Sequence, residues 1–437
     1  MTATSRAWEP LDLIGIGIGP FNLSLAALLE PVPAVRACFL ERQPGFDWHP
    51  GLLLEDATIQ VPFLADLVTL VDPTSRHSFL AYLREHDRLY RFYFRERFHL
   101  LRREYNHYCQ WVAANLASCR FSSNVTGLRW RPGEHCFEVD VTAVPNRRQE
   151  RLRAANVVLG IGTAPRVPAP FAGLLGKDVF HSSQFLAHRE RLRTARHVTV
   201  IGSGQSGAEV FEALLRDQDV TGYRLSWLTR SPGFLPMEYS KLGLEHFSPE
   251  YVRYFHALPA AERDRLLPTQ NQLYKAIDAD TIAGIYDLLY ERTVGGREPA
   301  VQLLANTEVR ALSRDGDELR LEGHHRQQRR GVALRTDAVV LATGYEASLP
   351  PWFDELRPLV DADAHGRLRV DLDYRVTLDA SVDGALFVQN AELHTHGIGT
   401  PDLGLGAHRG ATIVNAVTGR TVYPLPERTV FTQFGVA

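Results

Sequence analysis

Two glycine-rich turns are the parts of this sequence best suited to chemistry. Gly202-Ser203-Gly204-Gln205-Ser206-Gly207 is a complete GxGxxG. It follows the apolar run HVTVI, which begins at His197, and precedes a helical stretch over 208–216. Gly15-Ile16-Gly17-Ile18-Gly19-Pro20 stands in the same relation to an apolar strand over 12–16 and a helix over 21–29. Turns of this kind let a backbone approach a pyrophosphate, and the N–H groups that open the helix stabilise its charge. Counted from Gly15, the first copy departs from the pattern. Gly19 comes one position early, and Phe21 sits where a third small residue could occur.

The residues that end the next strands separate the two sites. The strand over 37–40 ends at Glu41, whose carboxylate can accept ribose hydroxyls. The strand over 224–228 ends at Thr229-Arg230-Ser231. A cation flanked by hydroxyls suits a 2′-phosphate, which favours NADPH over NADH at the second site. Both copies then end alike. In the first, a strand over 136–144, a polar turn over 145–149 and a returning strand over 152–159 close on Gly160-Ile161-Gly162. In the second, a strand over 318–322, a basic loop over 323–330 and a returning strand over 332–341 close on Thr343-Gly344-Tyr345. Gly15 and Gly160 are 145 positions apart, and Gly202 and Gly344 are 142 apart. The repeat predicts an α/β chain with two Rossmann-like dinucleotide-binding folds. Two dinucleotides in one chain allow hydride transfer from a nicotinamide to a flavin, and the electrons must then go elsewhere.

Composition narrows where they go. The chain has 437 residues, which at ~150 per domain predicts about three domains. Its net charge is −3, without the basic excess of a nucleic-acid binder. Lys177, Lys241 and Lys275 are its only lysines. Cys38, Cys109, Cys119 and Cys136 form no CxxC or CxxxxC pair, so a redox disulfide at those spacings is excluded. Residues 1–10 lack the basic and apolar regions of a signal peptide. The longest uncharged stretch, 13–29, holds three glycines and Pro20 and is shorter than a span of ~20 residues. The expectation is a soluble cytoplasmic protein, with no membrane segment and no nucleic-acid partner. The electron acceptors still open are a small carrier, a dehydrogenated substrate and dioxygen.

In order along the chain stand GIGIGPFNLSLAALL (15–29), FDWHPGLLLEDATIQ (46–60), DLVTLVDPTSRHSFLAYL (66–83), VIGSGQSGAE (200–209), LATGY (341–345) and HTHGIG (394–399). This run resembles the flavin-dependent N-hydroxylating monooxygenases of siderophore biosynthesis, the lysine/ornithine N-monooxygenase family. The resemblance covers nearly the whole chain. It implies FAD and NADPH as cofactors and O2 as cosubstrate. It implies a C4a-hydroperoxyflavin whose distal oxygen a neutral amine attacks to become a hydroxylamine. Acid–base machinery is then secondary, and the protein's task is proximity and water exclusion. By resemblance Gly15, Gly17, Gly19, Pro20 and Glu41 hold FAD, and Trp48, His49 and Gln60 lie along the isoalloxazine. Gly202, Gly204, Gln205, Ser206, Gly207 and Arg230 hold NADPH, and Thr343, Gly344 and Tyr345 border the cofactors. Gln60, Asn271 and Lys275 are the catalytic candidates. The family also implies a homotetramer. His394 and His396, two apart, would share one face of a strand. With no third ligand evident nearby, they read as polar packing near the flavin rather than as a metal site.

The substrate is read from missing groups. Relatives that act on ornithine or lysine hold the α-carboxylate with a lysine, an asparagine and a serine. This chain has Ala65, Leu244 and Gly404 at those places. Burying a carboxylate without partners costs several kcal/mol. A diamine such as putrescine or cadaverine has no carboxylate. Segments 90–111 and 270–277 also resemble the diamine N-hydroxylases of alcaligin- and desferrioxamine-type pathways. Glu238, Glu245 and Asp278 are candidate acceptors for the distal ammonium, each also readable as a surface carboxylate. L-Lysine N6- or L-ornithine N5-hydroxylation remains the alternative within the family. A flavoprotein reductase that feeds a carrier is the alternative outside it.

The expected organisation is an FAD-binding domain over 8–165 and 337–437 and an NADPH-binding domain over 166–336. A helical substrate insert occupies 238–293, with an apolar stripe at 282, 285, 286 and 289. A helix over 106–116 places Tyr108, Trp111 and Val112 in the core.

Overall fold

The uncharged stretch folds as a strand, a turn and a sealed helix. In the computed structural model, which describes residues 10–436, Leu11–Ile16 is a strand and Pro20–Leu29 a helix whose ten residues are all buried. An uncharged helix this apolar must be covered on every face, with its two polar side chains, Asn22 and Ser24, bonded to the backbone of Gly17 and Leu67. The sheet covers one side and the helix Gly406–Thr418 the other. The two helices are close enough that a Cβ on Gly410 would lie 3.0 Å from Leu28 Cδ1. Among the described residues no helix is long and apolar enough to cross a membrane.

The first sheet runs in the order Cys119–Arg120, Ala37–Leu40, Leu11–Ile16, Gln149–Leu159, Cys136–Ala143, Ser123–Arg131. Gln149–Leu159 is its hub. Its first half is antiparallel to Cys136–Ala143, and its second half is parallel to both Leu11–Ile16 and Ala385–Val388. The second sheet is wholly parallel, in the order Val179–His181, Ala338–Leu341, His197–Ile201, Arg224–Leu228, Val301–Leu304. Its inner strands are covered on both faces: Ala338–Leu341 is a continuous apolar run, and the buried Thr199 and Ser226 of the other two bond Thr336 and His197.

The second copy breaks where the first runs on. Residues 332–341, expected as one strand, form Arg330–Thr336 in a three-stranded antiparallel sheet and Ala338–Leu341 in the parallel one. Asp337 makes the break. Its carboxylate accepts the N–H groups of Arg196 and His197, and its own N–H donates to His197 O at 3.0 Å. The expected basic loop is also shorter, since Glu318–His325 extends the preceding strand through Gly323.

Three further expectations need revision. The helix expected over 106–116 is Arg102–Ala114; Tyr108 and Val112 are core, but Trp111 is only partly buried and donates to Glu85. In the stripe over 282–289, Tyr286 points outward and is 68 % exposed. The residues over 238–293 also do not pack as one body. Ala279–Thr293 lies on the helix Gln205–Thr221, with Ile282, Ile285 and Leu289 in that fold's core. Pro249–Ala257 instead packs on the HTHGIG segment, where Tyr251, Phe255 and Ile398 form a separate apolar cluster.

The chain crosses between the two sheets twice, and the crossings run side by side. Thr163–Pro165 pairs antiparallel with Tyr345–Ala347, and Thr343 Oγ1 donates to Arg166 O.

Candidate active site

The first glycine turn begins at Gly17, not Gly15. Gly15 lies inside the strand, where a Cβ would overlap the Phe39 ring. Gly17 has φ +88°, and a Cβ on it would overlap the Gly160 carbonyl. Gly19 is the N-cap of the helix, offers no side-chain cap, and has open space where a Cβ would be. Pro20 fills the first helical position, where a missing N–H is harmless. The third-glycine position therefore falls on Asn22, not Phe21. The Asn22 amide donates to Gly17 O at 2.7 Å and so replaces a close backbone approach by a side-chain clamp. Glu41 accepts from Ile18 N at 3.0 Å and from Gln43 N at 2.9 Å, which fixes its carboxylate beside the turn.

The second turn repeats this geometry with its full pattern. Gly202 has φ +121°, and a Cβ on it would overlap Ala342 O. Gly204 is the uncapped N-cap of Gln205–Thr221. A Cβ on Gly207 would overlap Gly202 O. Ser206 opens the helix beside Gln205, and Arg230 is exposed just past Arg224–Leu228. Two uncapped helix N-termini, each behind a backbone cradle with no room for a side chain, fit the pyrophosphates of FAD and NADPH.

Between the turns lies a seam of aromatic and charged groups. His49 has φ +53°, and its ring stands 4.8 Å from Trp48 and 5.7 Å from Tyr345. Burial and the Arg102 charge push His49 down to about 4, so its ring is neutral near pH 7. Tyr345 also faces His181 at 5.1 Å, and burial raises its phenol while Arg102 and the Ser182 and Ser183 hydroxyls hold it down. His181 Nε2 lies 3.0 Å from Gly344 O. Gln60 sits in Thr58–Pro62 with its amide on Thr58 O. Sequence reasoning missed the buried pair of Arg102 and Glu209 that ties the halves together. Glu209 lies in the quoted run VIGSGQSGAE, four positions after Gln205, and an acid at that helical spacing was the available signal.

The structure brings together two of the three positions where a carboxylate site is missing. A Cβ on Gly404 would lie 3.9 Å from the Cβ of Ala65, which is itself buried. Leu244 is exposed on the helix Lys241–Leu244. The hypothetical Gly404 Cβ would also lie 2.8 Å from Asp402 Oδ1. Sequence reasoning did not single out Asp402; only its place between HTHGIG and Gly404 could have pointed to it. Tyr239 closes the other side, donating to Gln60 O. Its phenol is raised by burial and then by the nearby charges of Asp278 and Asp402.

The proposed ammonium acceptors fare differently. Glu245 is corrected: its carboxylate is taken by Phe431 N at 3.0 Å and Thr432 N at 2.8 Å, which strap the C-terminal segment across the helices. Glu238 is exposed and accepts Ser240 N. Asp278 caps its helix through Thr281 N, while its own N–H donates to Gln205 Oε1 at 2.7 Å. Asn271 and Lys275 are exposed, and Lys275 O lies 3.4 Å from the Cβ position of Gly204, beside the second turn. His394 and His396 are corrected too. They sit in the short helix Leu393–His396, not on a strand, and diverge. His394 Nε2 lies 2.7 Å from Leu368 O, and His396 stacks on Tyr374 at 4.5 Å.

Comparison with known proteins agrees with this geometry. Residues 9–347 match the family model described as L-lysine 6-monooxygenase/L-ornithine 5-monooxygenase. A putrescine N-hydroxylase of Shewanella oneidensis is 45% identical over 97% of this chain and 84% of its own. The FAD-bound structure of DfoA, the desferrioxamine-pathway cadaverine monooxygenase of Erwinia amylovora, superposes with a TM-score of 0.95. It is 42% identical and covers 98% of this chain and 99% of its own. The Kutzneria ornithine N-hydroxylase with reduced FAD, NADP+ and L-ornithine has a TM-score of 0.87 at 31% identity, over 94% and 99% of the two chains. The chain belongs to the L-lysine 6-monooxygenase/L-ornithine 5-monooxygenase family of FAD- and NADPH-dependent N-hydroxylating monooxygenases.

Proposed function

We propose that this enzyme N-hydroxylates one terminal amine of an aliphatic diamine, putrescine or cadaverine, in the assembly of a hydroxamate siderophore. The observation that carries the proposal is the apposition of Ala65 and Gly404 beside Asp402. A substrate carboxylate placed there would meet a methyl group and a second carboxylate. A diamine carries no such group. The names of the similar putrescine and cadaverine enzymes support the same reading.

Bound FAD, reduced by NADPH, supplies activated oxygen from O2. The protein's residues supply position. Gly17, Gly19 and Glu41 hold one nucleotide, and Gly202, Gly204, Gln205 and Arg230 hold the other. Trp48, His49 and Gln60 line the flavin side of the seam. A neutral His49 adds no positive charge there to repel the substrate as it arrives protonated. Asn271 and Lys275 border the second nucleotide. The enzyme works in the cytoplasm, in keeping with its four free cysteines, and as a homotetramer. The exposed aromatic face of Leu89–Arg95, with Tyr90, Tyr93 and Phe94, offers a surface for self-association.

The test is an iodine-oxidation assay for hydroxylamine with putrescine, cadaverine, lysine and ornithine in parallel. Product from a diamine alone is the expected result. Product mainly from lysine or ornithine would overturn the substrate and keep the family. NADPH consumption without hydroxylamine would put the reductase reading in front.

A further inference from the structure

We propose that Asp402 binds the distal ammonium of the diamine and so sets the preference for diamines over monoamines; this rests on the diamine reading above. Three segments converge on Asp402. It is 2.8 Å from the Cβ position of Gly404, which is itself 3.9 Å from Ala65 Cβ. Tyr239, which bonds the backbone of Gln60, lies within range of the charges of Asp278 and Asp402. Asp402 and Ala65, which stands where the amino-acid hydroxylases resembled by this chain carry a lysine, thus flank the same Gly404 position. With alanine there, the substrate's own ammonium takes that seat.

The state of the carboxylate fits this role. Oδ1 accepts Gly404 N–H at 2.7 Å, a neutral cap that leaves the charge uncompensated. Among the described residues no ion pair reaches Asp402, although part of its surface stays accessible. Burial pushes it up to about 6, while the Gly404 and Leu405 amides and the charge of Arg409 hold it down. Arg409 and Tyr239 are the charged and titratable groups that face it. A deep carboxylate without a counter-ion is costly, and an incoming ammonium removes that cost. The distal amine has the usual high pKa of an alkylammonium and arrives charged. Two other carboxylates are committed elsewhere: Glu245 to the C-terminal segment, and Glu392 to Arg409 in a sealed pair.

The experiment compares holoenzyme and Asp402→Asn on cadaverine, putrescine, pentylamine and butylamine, reading hydroxylamine formation. Asparagine keeps an oxygen for the Gly404 N–H and removes only the charge. We expect the diamine KM to rise about 100-fold, the scale of leaving a buried ammonium unpaired. Monoamine kcat/KM should change less than about threefold, and flavin reduction by NADPH should be unchanged. A wild-type diamine KM in the variant, or diamine and monoamine falling together, would overturn the assignment. A readout that needs no variant is the wild-type ratio of diamine to monoamine KM against pH. It should rise as pH falls through about 6, and a flat ratio would count against Asp402. A wild-type enzyme that hydroxylates lysine or ornithine but no diamine would overturn the functional reading, and this assignment with it.

Discussion

Arg102 and Glu209 meet as a bidentate pair across the seam, with Nη1–Oε2 at 2.8 Å and Nη2–Oε1 at 2.6 Å and both side chains buried. Arg102 opens a helix packed in the first fold, and Glu209 lies in the helix that starts at the second glycine turn. Arg102 also donates to Leu52 O at 2.9 Å, within the segment that joins His49 to Gln60. Glu209 also accepts the Gln205 amide at 3.0 Å. One cation thereby fixes the His49 segment against the helix behind the second nucleotide.

Glu209→Gln should therefore do more than remove a contact. It leaves the Arg102 charge buried without its partner, at a cost of roughly 3–5 kcal/mol in unfolding free energy. Glu209→Leu combined with Arg102→Met should recover part of that loss, because neither charge is then stranded. Denaturant midpoints at fixed slope are the measurement. A Glu209→Gln midpoint equal to wild type would show that the pair holds nothing together.

The two turns should fail separately. Alanine at Gly17 meets the Gly160 carbonyl at φ +88°, and alanine at Gly202 meets Ala342 O at φ +121°. Gly17→Ala should purify with little flavin absorbance. Gly202→Ala should keep its flavin and lose NADPH-driven reduction by about tenfold or more, the scale of ~1–3 kcal/mol for a strained backbone position. Chemical reduction with dithionite should still bleach the Gly202→Ala flavin. Loss of flavin from that variant would mean the turns are not independent.

Both turns and their partner strands were legible because backbone requirements leave few residue choices. Gly17, Gly19, Gly202 and Gly204 are marked by their type alone. The register at the first turn was misread because Asn22 does with a side chain what Gly207 does by having none. The break at Asp337 was invisible because one residue accepts from two distant backbone groups. Arg102, Tyr239 and Asp402 were missed for a related reason. Arg102 and Tyr239 have partners 107 and 179 positions away, and the turn that carries Asp402 meets the Ala65 segment through Gly404 from the far end of the chain. No local pattern encodes such a meeting. Ala65 and Gly404 were found only as departures from a family pattern, and the fold supplied the fact that they adjoin.

Arg230 supplies a prediction about cofactor choice. It is exposed beside Thr229 and Ser231, with Ser203 Oγ 2.7 Å from Thr229 Oγ1 at the head of the turn. Arg230→Ala should lower kcat/KM for NADPH by about 10- to 100-fold, since a charge-assisted phosphate contact is worth ~1.5–3 kcal/mol. The value for NADH should stay within about threefold, as expected for an exposed side chain that NADH does not touch. Equal losses with both cofactors would remove Arg230 from the 2′-phosphate site.

Ala65→Lys should turn the substrate seat into an internal ion pair. A lysine in this buried position would normally destabilise the fold, but Asp402 stands close enough to receive it. The variant should fold, retain FAD and reduce it with NADPH, while losing diamine hydroxylation by about 100-fold because the seat is filled. The pH dependence of stability should change sign as well. In the wild type Asp402 is raised from 3.8 to about 6, so the folded state binds the extra proton. That contribution favours the fold at low pH and is lost as pH rises from about 4 to 6. In Ala65→Lys the pair lowers Asp402, and the folded state binds fewer protons than the unfolded chain. The variant's stability relative to wild type should therefore increase between about pH 4 and 7, as read from denaturant midpoints across that range. A difference that is flat with pH would mean that the introduced ammonium does not reach Asp402, and the loss of diamine turnover would then need another cause.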